Sequence, residues 1–196
     1  MSSCLSSNST SCLWCLKMTE QSERDLFQNE ILQLLPASKI LGIEIGVFCG
    51  ETSAFFLSIA PEVHVIGIDP IIPDSMGGCD CIGNKEQIFA EVETQKDRFE
   101  LIEDYSYNVH DRFEDGTVDF IFIDGDHNYE AVKRDFELYY PKVREDGLIF
   151  FHDSRMNRGG TAHWPGPSKF VDELRETNLL LAGPEACTLS AFRKRS

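Results

Sequence analysis

Glu44-Ile45-Gly46-Val47-Phe48-Cys49-Gly50 is a glycine-rich turn between a predicted strand and a predicted helix. The apolar run that leads into it, Ile40–Val47, predicts a buried strand, and Thr52–Ile59 has a helical pattern. Gly46 allows the backbone to turn sharply and approach a ligand, and Gly50 allows the strand and the helix to pack closely. A turn of this kind predicts a ligand at the carboxyl end of a parallel sheet.

Short apolar runs alternate with helical patterns along the rest of the chain. The further predicted strands are Val63–Ile68, Phe99–Ile102, Val118–Ile123 and Leu148–Phe151, and the further predicted helices are Ser22–Leu35, Lys85–Arg98, Tyr105–Phe113 and Tyr129–Val143. Leu179–Leu181 and Cys187–Phe192, joined by Ala182-Gly183-Pro184, predict a terminal hairpin. We therefore expect an α/β fold: a Rossmann-like, doubly wound, mostly parallel sheet of seven strands with a C-terminal antiparallel hairpin and helices on both faces.

The chemistry of the turn favours a cationic ligand. The glycine spacing differs from the G-x-G-x-x-G pattern that cradles a pyrophosphate, and the carboxylate of Glu44 would oppose a phosphate. The same carboxylate would stabilise an amine or a sulfonium in a partly dry pocket. Asp69 ends the next strand, about 20 residues beyond the glycines, a spacing that suits an acceptor for ribose hydroxyls. The structural alternatives are a glycine turn that binds no ligand and, for Asp69, a role only in starting a turn with Pro70.

Polar side chains follow the fourth and fifth predicted strands. Asp124 and His127 come after Ile123, and Asp153 comes after Phe151, so neighbouring parallel strands would bring them into one crevice. Two carboxylates there predict an oxygen site for Mg²⁺, which would lower the pKa of a substrate hydroxyl. His127 is placed to accept the hydroxyl proton. The alternatives are helix capping by Asp124, Asp126 and Asp153, and a purely structural role for His127.

These motifs resemble a known family. The turn resembles the E/D-x-G-x-x-x-G motif of class I S-adenosylmethionine-dependent methyltransferases. The stretches Phe122–Glu130 and Gly147–Asp153 look like methyltransferase family 24, which is related to macrolide-sugar O-methyltransferases and cephalosporin-hydroxylase-like proteins, and they are reminiscent of catechol O-methyltransferase. The resemblance spans about Ile40 to Ser154, and its D-G-D-H and H-D segments are more specific than the glycine turn.

The resemblance implies roles for individual residues. In the family, the acid matching Asp69 binds the adenosyl ribose, and Asp104 and Ser106 lie where adenine is contacted. The acids matching Asp124 and Asp153 bind Mg²⁺, and a base occupies the position of His127. The predicted cofactor-binding residues are thus Glu44, Gly46, Gly50, Thr52, Asp69, Asp104, Ser106 and Asp124. Relatives carry a Glu or Asn beside the second acid as third metal ligand, whereas Asp153 is flanked by His152 and Ser154.

The predicted function is S-adenosylmethionine-dependent methyl transfer to a small-molecule acceptor, with a hydroxyl as the expected group and Mg²⁺ as an expected aid. A non-catalytic S-adenosylmethionine-binding module that acts through a partner is one alternative. A nicotinamide-dependent oxidoreductase is the other, and the absent G-x-G-x-x-G argues against it.

Length and composition predict one domain over residues 21–196, preceded by a flexible Ser/Cys-rich tail over residues 1–20. The formal net charge of −15 would repel a polyphosphate, so we expect no nucleic-acid partner. No apolar run approaches the roughly 20 residues of a membrane-spanning helix, so no membrane partner is expected. The sequence does not indicate an oligomeric state.

The seven cysteines predict a reducing compartment, the cytoplasm, because their number is odd and no secretory start precedes them. Cys12 and Cys15 form a C-x-x-C and Cys79 and Cys81 a C-x-C, but neither has the second ligand pair of a zinc site, so unpaired thiols are predicted. Two irregular segments, Arg155–Pro167 and Asp74–Gly83, are candidates for loops that border the site, with plain surface loops as the alternative.

Overall fold

The computed structural model describes residues 20–72, 85–155 and 164–196. Its strands are β1 (Ile40–Ile45), β2 (Val63–Ile68), β3 (Phe99–Ile102), β4 (Val118–Ile123), β5 (Val143–Phe151), β6 (Leu180–Ala186) and β7 (Leu189–Lys194). Its α-helices are α1 (Gln21–Leu32), α2 (Glu51–Ile59), α3 (Lys85–Glu91), α4 (Ser106–Val109), α5 (Tyr129–Tyr139) and α6 (Pro165–Arg175). Short 3₁₀ turns cover Glu93–Arg98, His110–Arg112 and Tyr140–Lys142.

The seven strands form one sheet in the order β3-β2-β1-β4-β5-β7-β6. The first five strands are parallel, and β7 runs antiparallel to both β5 and β6. In register, Ile45 lies beside Ile68 and Ile123, and Ile123 lies beside Phe151. The ends of β1, β2, β4 and β5 are therefore level at one edge, where the segments that follow them meet. The predicted fold class is confirmed.

Helices cover both faces of the sheet because the strand side chains alternate between two apolar cores. On one face, the ring of Phe27 from α1 makes edge contacts with Phe56, Phe122 and Phe150 at centroid distances of 4.9, 5.1 and 4.9 Å. Such aromatic pairs contribute about 0.5–1.5 kcal/mol each beyond the area they bury. The other face buries side chains of α5 and α6 against Ile121 and Ile149 and their neighbours. These two layers hold the edge that carries the site.

Several predicted boundaries differ from the structure. The helix expected over Lys85–Arg98 is α3 followed by a 3₁₀ turn, and the one expected over Tyr105–Phe113 is α4 followed by a 3₁₀ turn. The helix expected to reach Val143 ends at Tyr139, since Pro141 lacks the N–H that would continue it. Val143 instead begins β5, five residues before the predicted start.

The terminal hairpin is present, but its turn lies at residues 187 and 188. Ala182-Gly183-Pro184, the predicted turn, belongs to β6, where the register shifts between Ala182 and Glu185. Proline donates no ladder hydrogen bond and is tolerated at such an irregularity of an edge strand. Sequence reasoning also missed α6, which occupies the last three residues of the predicted loop Arg155–Pro167 and continues to Arg175.

The predicted tail, apart from Glu20, lies outside the described residues, as do the segment Asp74–Gly83 and residues 156–163 of the other predicted loop. Within the described ranges, no helix combines the length and the apolar character needed to cross a membrane.

Candidate functional site

Asp69, directly after β2, organises the glycine turn. Its Oδ2 accepts hydrogen bonds from the backbone N–H groups of Val47 (2.8 Å) and Phe48 (3.0 Å). Its Oδ1 accepts from the N–H of Ile71 at 2.7 Å. Phe48 and Ile71 have φ angles of 53° and 51°, a left-handed conformation that is unfavourable for bulky and β-branched residues. The carboxylate of Asp69 thus stabilises two strained segments, the glycine turn at Phe48 and the residues just after β2 at Ile71.

The two predicted glycines are required by close packing. A Cβ on Gly46, where φ is 89°, would lie 2.3 Å from the carbonyl oxygen of Asp124. Gly50, where φ is 87°, caps α2, and a Cβ there would lie 3.1 Å from the Cα of Ile88. The backbone N–H of Gly46 donates to Ile68 and that of Gly50 donates to Val47. The N–H groups of Val47 and Phe48 donate to Asp69, so all four of these N–H groups have partners within the protein. In a phosphate-binding turn, such N–H groups point at the ligand instead.

Glu44 is a buried carboxylate behind this turn. Its side chain is 1% exposed and accepts a hydrogen bond from the hydroxyl of Ser53. Burial raises its pKa well above the usual value; Ser53 opposes that shift, and the charges of Asp124 and Asp69 add to it. A cation placed nearby would favour the ionised form of Glu44. Thr52, another predicted cofactor residue, is buried in the first turn of α2.

The segment after β3 holds the two residues predicted to contact adenine. Oδ1 of Asp104 accepts from the N–H of Tyr105 (2.7 Å) and from the side-chain amide of Asn108 (2.8 Å). The hydroxyl of Ser106 donates to Oδ1 of Asp135 at 2.5 Å. Asp135 is buried, and burial raises its pKa to about 6, against the opposing effects of Ser106 and Arg134. Sequence reasoning missed Asp135, which lies on the buried face of α5.

Exposed aromatic side chains border the same segment. The rings of Tyr105 and Tyr107 stack at a centroid distance of 5.1 Å, with 18° between their planes. The guanidinium of Arg134 lies 4.1 Å from the centre of the Tyr107 ring. Sequence reasoning missed this platform, because nothing in the spacing of these residues indicates that both rings face outward.

Asp124, His152 and Asp153 meet where β4 and β5 end. Each offers one ligand atom, and the three atoms lie within 4.8 Å of one another. His152 Nδ1 is 3.1 Å from Asp124 Oδ1 and 3.6 Å from Asp153 Oδ2. Asp153 has a φ of 49°, a strained conformation of a kind that clusters at functional sites. The donor set therefore fits a divalent cation, with an imidazole nitrogen beside the two predicted carboxylates.

Asp124, Asp126 and Asp153 are not the N-cap residues of the helices that follow them. The residue that caps α5 is Asn128, and the one that caps α6 is Trp164. Asp126 is exposed, and its Oδ1 accepts from the N–H (2.9 Å) and the side-chain amide (2.6 Å) of Asn128, which closes a local turn. The described hydrogen bonds of Asp126 are thus local to this turn.

His127 faces that pair across the crevice. Its Nε2 lies 3.0 Å from Asp153 Oδ2 and 3.8 Å from Asp124 Oδ1. Burial alone would lower the pKa of His127, but the hydrogen bond to Asp153 and the charges of the two carboxylates raise it above the usual value. The indole of Trp164 stacks on the imidazole at 4.6 Å, with 24° between the rings. The ring is thereby held from two sides.

The start of α6 packs tightly on the turn that carries His127. A Cβ on Gly166 would lie 2.2 Å from the carbonyl oxygen of His127 and 2.6 Å from the N–H nitrogen of Tyr129. Only glycine allows this approach. Sequence reasoning missed the contact, although Pro165 at the first turn was an available signal for a helix start.

His152 and Glu23 are buried polar residues that sequence reasoning did not assign to the site. Their side chains are 9% and 2% exposed. Burial alone would lower the pKa of His152, but the carboxylates of Asp124, Asp153 and Glu23 outweigh it and hold the pKa well above the usual value. His152 Nε2 faces Oε2 of Glu23 at 3.6 Å. His152 could have been found from the sequence, because it precedes the predicted metal ligand Asp153. Glu23 could not, because nothing in the sequence indicates that α1 reaches this edge of the sheet.

Comparisons with known proteins find relatives of this chain and of its fold. The model of methyltransferase family 24, described as a methyltransferase domain, matches residues 43–154. A Dictyostelium discoideum protein assigned as caffeoyl-CoA O-methyltransferase 3 is 29% identical over 183 residues, which cover 86% of this chain and 69% of that protein. A solved Staphylococcus aureus structure assigned as a caffeoyl-CoA O-methyltransferase has a TM-score of 0.68 and 18% identity, and the match covers 91% of this chain and 85% of that one.

A third relative is longer than this chain. An uncharacterized protein of Acanthamoeba polyphaga mimivirus is 30% identical over 142 residues, which cover 68% of this chain. The chain spans 60% of the length of that protein.

Proposed function

Because this chain belongs to methyltransferase family 24, a class I S-adenosylmethionine-dependent family, we propose that it transfers a methyl group from S-adenosylmethionine to a hydroxyl group of a small molecule. The observation that carries the proposal is the placement of His127 and Asp153, with Nε2 and Oδ2 3.0 Å apart, at the sheet edge that also carries the turn organised by Asp69. A proton acceptor and the expected cofactor loop share one crevice.

The cofactor supplies a methyl group on a positively charged sulfur. Glu44 supports binding of a cation, because its buried carboxylate has no positive partner among the described groups that shift its pKa. Asp69 already accepts three hydrogen bonds, and a carboxylate has about four acceptor sites, so roughly one remains for a ribose hydroxyl. Gly46, Gly50 and Thr52 shape the turn, and Asp124 packs against Gly46. Asp104 and Ser106 follow β3, two strands away from β1 in the sheet.

The adenine end would rely on Ser106 and Asp104 in different ways. The Ser106 hydroxyl donates to Asp135 and is left with acceptor capacity only. Asp104 Oδ1 accepts two hydrogen bonds at the surface, so its Oδ2 is the oxygen that would accept from an exocyclic amine. The exposed rings of Tyr105 and Tyr107 offer an apolar surface beside them.

Asp124 and Asp153 would hold a divalent cation, for which the sequence analysis predicts Mg²⁺. When bound, such a cation draws electron density from an acceptor oxygen and lowers the pKa of the hydroxyl. Asp153 favours the form of His127 that carries a proton on Nε2, since it raises the pKa of that ring. His127 must release that proton before it can take one from the acceptor, and Trp164 keeps the ring in position throughout.

Charge, a relative and the cysteine count support proposals about the acceptor and the cell compartment. The net charge of −15 supports a small acceptor rather than a nucleic acid, and the assigned acceptor class of the Dictyostelium discoideum relative supports an O-linked methyl product. We further propose a single domain over residues 21–196, and the odd cysteine count supports the cytoplasm.

A methyl-transfer assay tests the proposal. The full chain is incubated with methyl-labelled S-adenosylmethionine and a panel of phenols, sugars and polyketide alcohols, and labelled product is separated from cofactor. We expect a labelled methyl ether with at least one hydroxyl acceptor and little product with His127→Asn. Cofactor binding without turnover on any hydroxylated acceptor would instead indicate a non-catalytic binding module.

A further inference from the structure

We propose that His152 is the third protein ligand of the divalent-cation site, and that the site therefore prefers a first-row transition ion such as Mn²⁺ to Mg²⁺. This inference rests on the proposed function, since it specifies the ligand set and the metal class of the cation that Asp124 and Asp153 would hold. It replaces the Glu or Asn oxygen that relatives carry beside the matching acid with an imidazole nitrogen from the residue that precedes Asp153.

The first observation is the direction of the imidazole. His152 Nδ1 faces two carboxylate oxygens, at 3.1 Å from Asp124 Oδ1 and 3.6 Å from Asp153 Oδ2. A proton on Nδ1 satisfies these contacts when no metal is bound, and a divalent cation that displaces this proton would be held by the same three atoms. The ligand atoms of the three residues lie within 4.8 Å of one another, close enough for all three to be directed at one ion.

The second observation is a carboxylate behind the ring. Nε2 of His152 is buried, lacks a hydrogen-bond partner within the described residues, and lies 3.6 Å from Oε2 of Glu23. Metal-binding histidines commonly direct their second ring nitrogen at a carboxylate, which keeps the proton on that nitrogen and leaves the other lone pair for the metal. Glu23 and His152 have this arrangement, with Nδ1 as the free nitrogen.

Three hydrogen bonds from two residues hold the carboxylate of Glu23 in place. Its Oε1 accepts from the N–H (3.0 Å) and the hydroxyl (2.9 Å) of Thr188, in the turn between β6 and β7. Its Oε2 accepts from the N–H of Glu20 at 2.8 Å, at the start of α1. A carboxylate that is 2% exposed and bonded to two separate elements cannot easily move away from the imidazole. Glu23 is therefore a positioning residue for His152.

The ligand chemistry sets the metal preference. Mg²⁺ is bound almost entirely through oxygen, whereas imidazole suits transition ions, whose affinity for such sites rises from Mn²⁺ along the first row. An Asp-His-Asp set offers two oxygens and one nitrogen. Mn²⁺ accepts both ligand types and is the ion we use as the probe.

His127 is the competing nitrogen. Its Nε2 lies 3.0 Å from Asp153 Oδ2, so it also reaches the carboxylate pair. It is 25% exposed and stacks on Trp164, and within the described residues its ion pairs with carboxylates all involve Nε2. We assign it to proton transfer, and the experiment separates the two rings.

The test uses the metal alone on the full chain. MnCl₂ and MgCl₂ are titrated by calorimetry, and the Mn²⁺ complex is studied by electron spin-echo envelope modulation, which detects a coordinated ¹⁴N nucleus. We expect Mn²⁺ to bind at least about tenfold more tightly than Mg²⁺, with nitrogen coupling in the wild type and in His127→Asn. The coupling should vanish in His152→Asn, while His64→Asn, altered far from this edge, serves as the matched control.

A second variant protects the test against misfolding. Glu23→Gln retains the shape of the side chain and is expected to weaken Mn²⁺ binding by about 10-fold to 100-fold without changing the Mg²⁺ affinity to the same extent. Circular dichroism and S-adenosylmethionine binding report separately whether each variant is folded and whether the proposed function holds. Absence of Mn²⁺ binding, absence of nitrogen coupling in the wild type, or loss of the coupling in His127→Asn would overturn the assignment of His152.

Discussion

Nε2 of His127 lies 3.0 Å from Oδ2 of Asp153, although the two residues follow different strands. The contact couples the proposed proton acceptor to a proposed cation ligand. Each affects the other: His127 and His152 lower the pKa of Asp153, against the effect of its burial, and Asp153 raises the pKa of His127. A positive charge bound at Asp153 would therefore also favour the neutral form of His127.

Replacement of His127 by asparagine is expected to slow turnover and leave cofactor binding nearly unchanged. A positioned general base contributes about 10²-fold to 10⁴-fold to the rate, so kcat should fall by that order at saturating S-adenosylmethionine. The measurement is S-adenosylhomocysteine formation, with the Kd for S-adenosylmethionine from calorimetry. His110→Asn, in the 3₁₀ turn after α4, is the control. An equal loss of affinity and turnover would contradict the assignment.

Replacement of Asp69 by asparagine is expected to loosen the glycine turn. An amide cannot accept from all three backbone N–H groups as the carboxylate does, and an unsatisfied donor costs about 1–3 kcal/mol. We expect a lower Tm together with weaker binding of S-adenosylmethionine. Thermal unfolding and calorimetry measure the two effects, with the exposed Asp111→Asn as control. An unchanged Tm would show that the hydrogen bonds of Asp69 do not stabilise the glycine turn.

Replacement of Gly166 by alanine is expected to displace the turn that carries His127. The added Cβ would lie 2.2 Å from the carbonyl oxygen of His127, and overpacking of this kind costs about 1–3 kcal/mol. Both the free energy of unfolding and kcat should fall, whereas Asp172→Ala, on the exposed face of α6, should change neither. Wild-type kcat in a folded Gly166→Ala would mean that the position of His127 is not critical.

Replacement of Asp135 by asparagine is expected to stabilise the protein in a pH-dependent way. Burial raises the pKa of Asp135 from 3.8 to about 6, so the folded state holds this proton at a pH where the unfolded chain has released it. The resulting stabilisation is complete below pH ~4 and is lost as the pH rises through about 6. An asparagine still accepts from Ser106 and avoids the buried charge.

Asp135→Asn should therefore raise the free energy of unfolding by roughly 2–3 kcal/mol at pH 7.5 and by much less at pH 4. Urea denaturation of wild type and variant at both pH values is the measurement. A difference between the two proteins that does not vary with pH would indicate that Asp135 titrates normally.

The sequence was sufficient for the fold and for the residues that follow parallel strands. Because Ile45, Ile68, Ile123 and Phe151 are level in register, residues just after them had to meet, and local patterns were enough to predict it. The place of Asp69 beside the turn was predicted for the same reason. Its bonds to Val47 and Phe48 were not, since a backbone contact has no sequence pattern.

Contacts between distant segments could not be predicted. Glu23 reaches His152 only because α1 packs over the sheet, and no spacing in the sequence encodes that approach. The position of the hairpin turn depended on the pairing of β6 with β7, whereas the early end of the helix before Val143 has a local signal in Pro141. Tertiary pairing there overrode the local preference of Ala182-Gly183-Pro184 for a turn.

Calorimetric titration of the full chain with S-adenosylmethionine, with and without a divalent cation, tests the central proposal most directly. We predict binding at one site per chain, retained in His127→Asn and weakened in Asp69→Asn. Absence of binding under both conditions, in a protein shown to be folded, would contradict the assignment of the turn Glu44–Gly50 as a cofactor site.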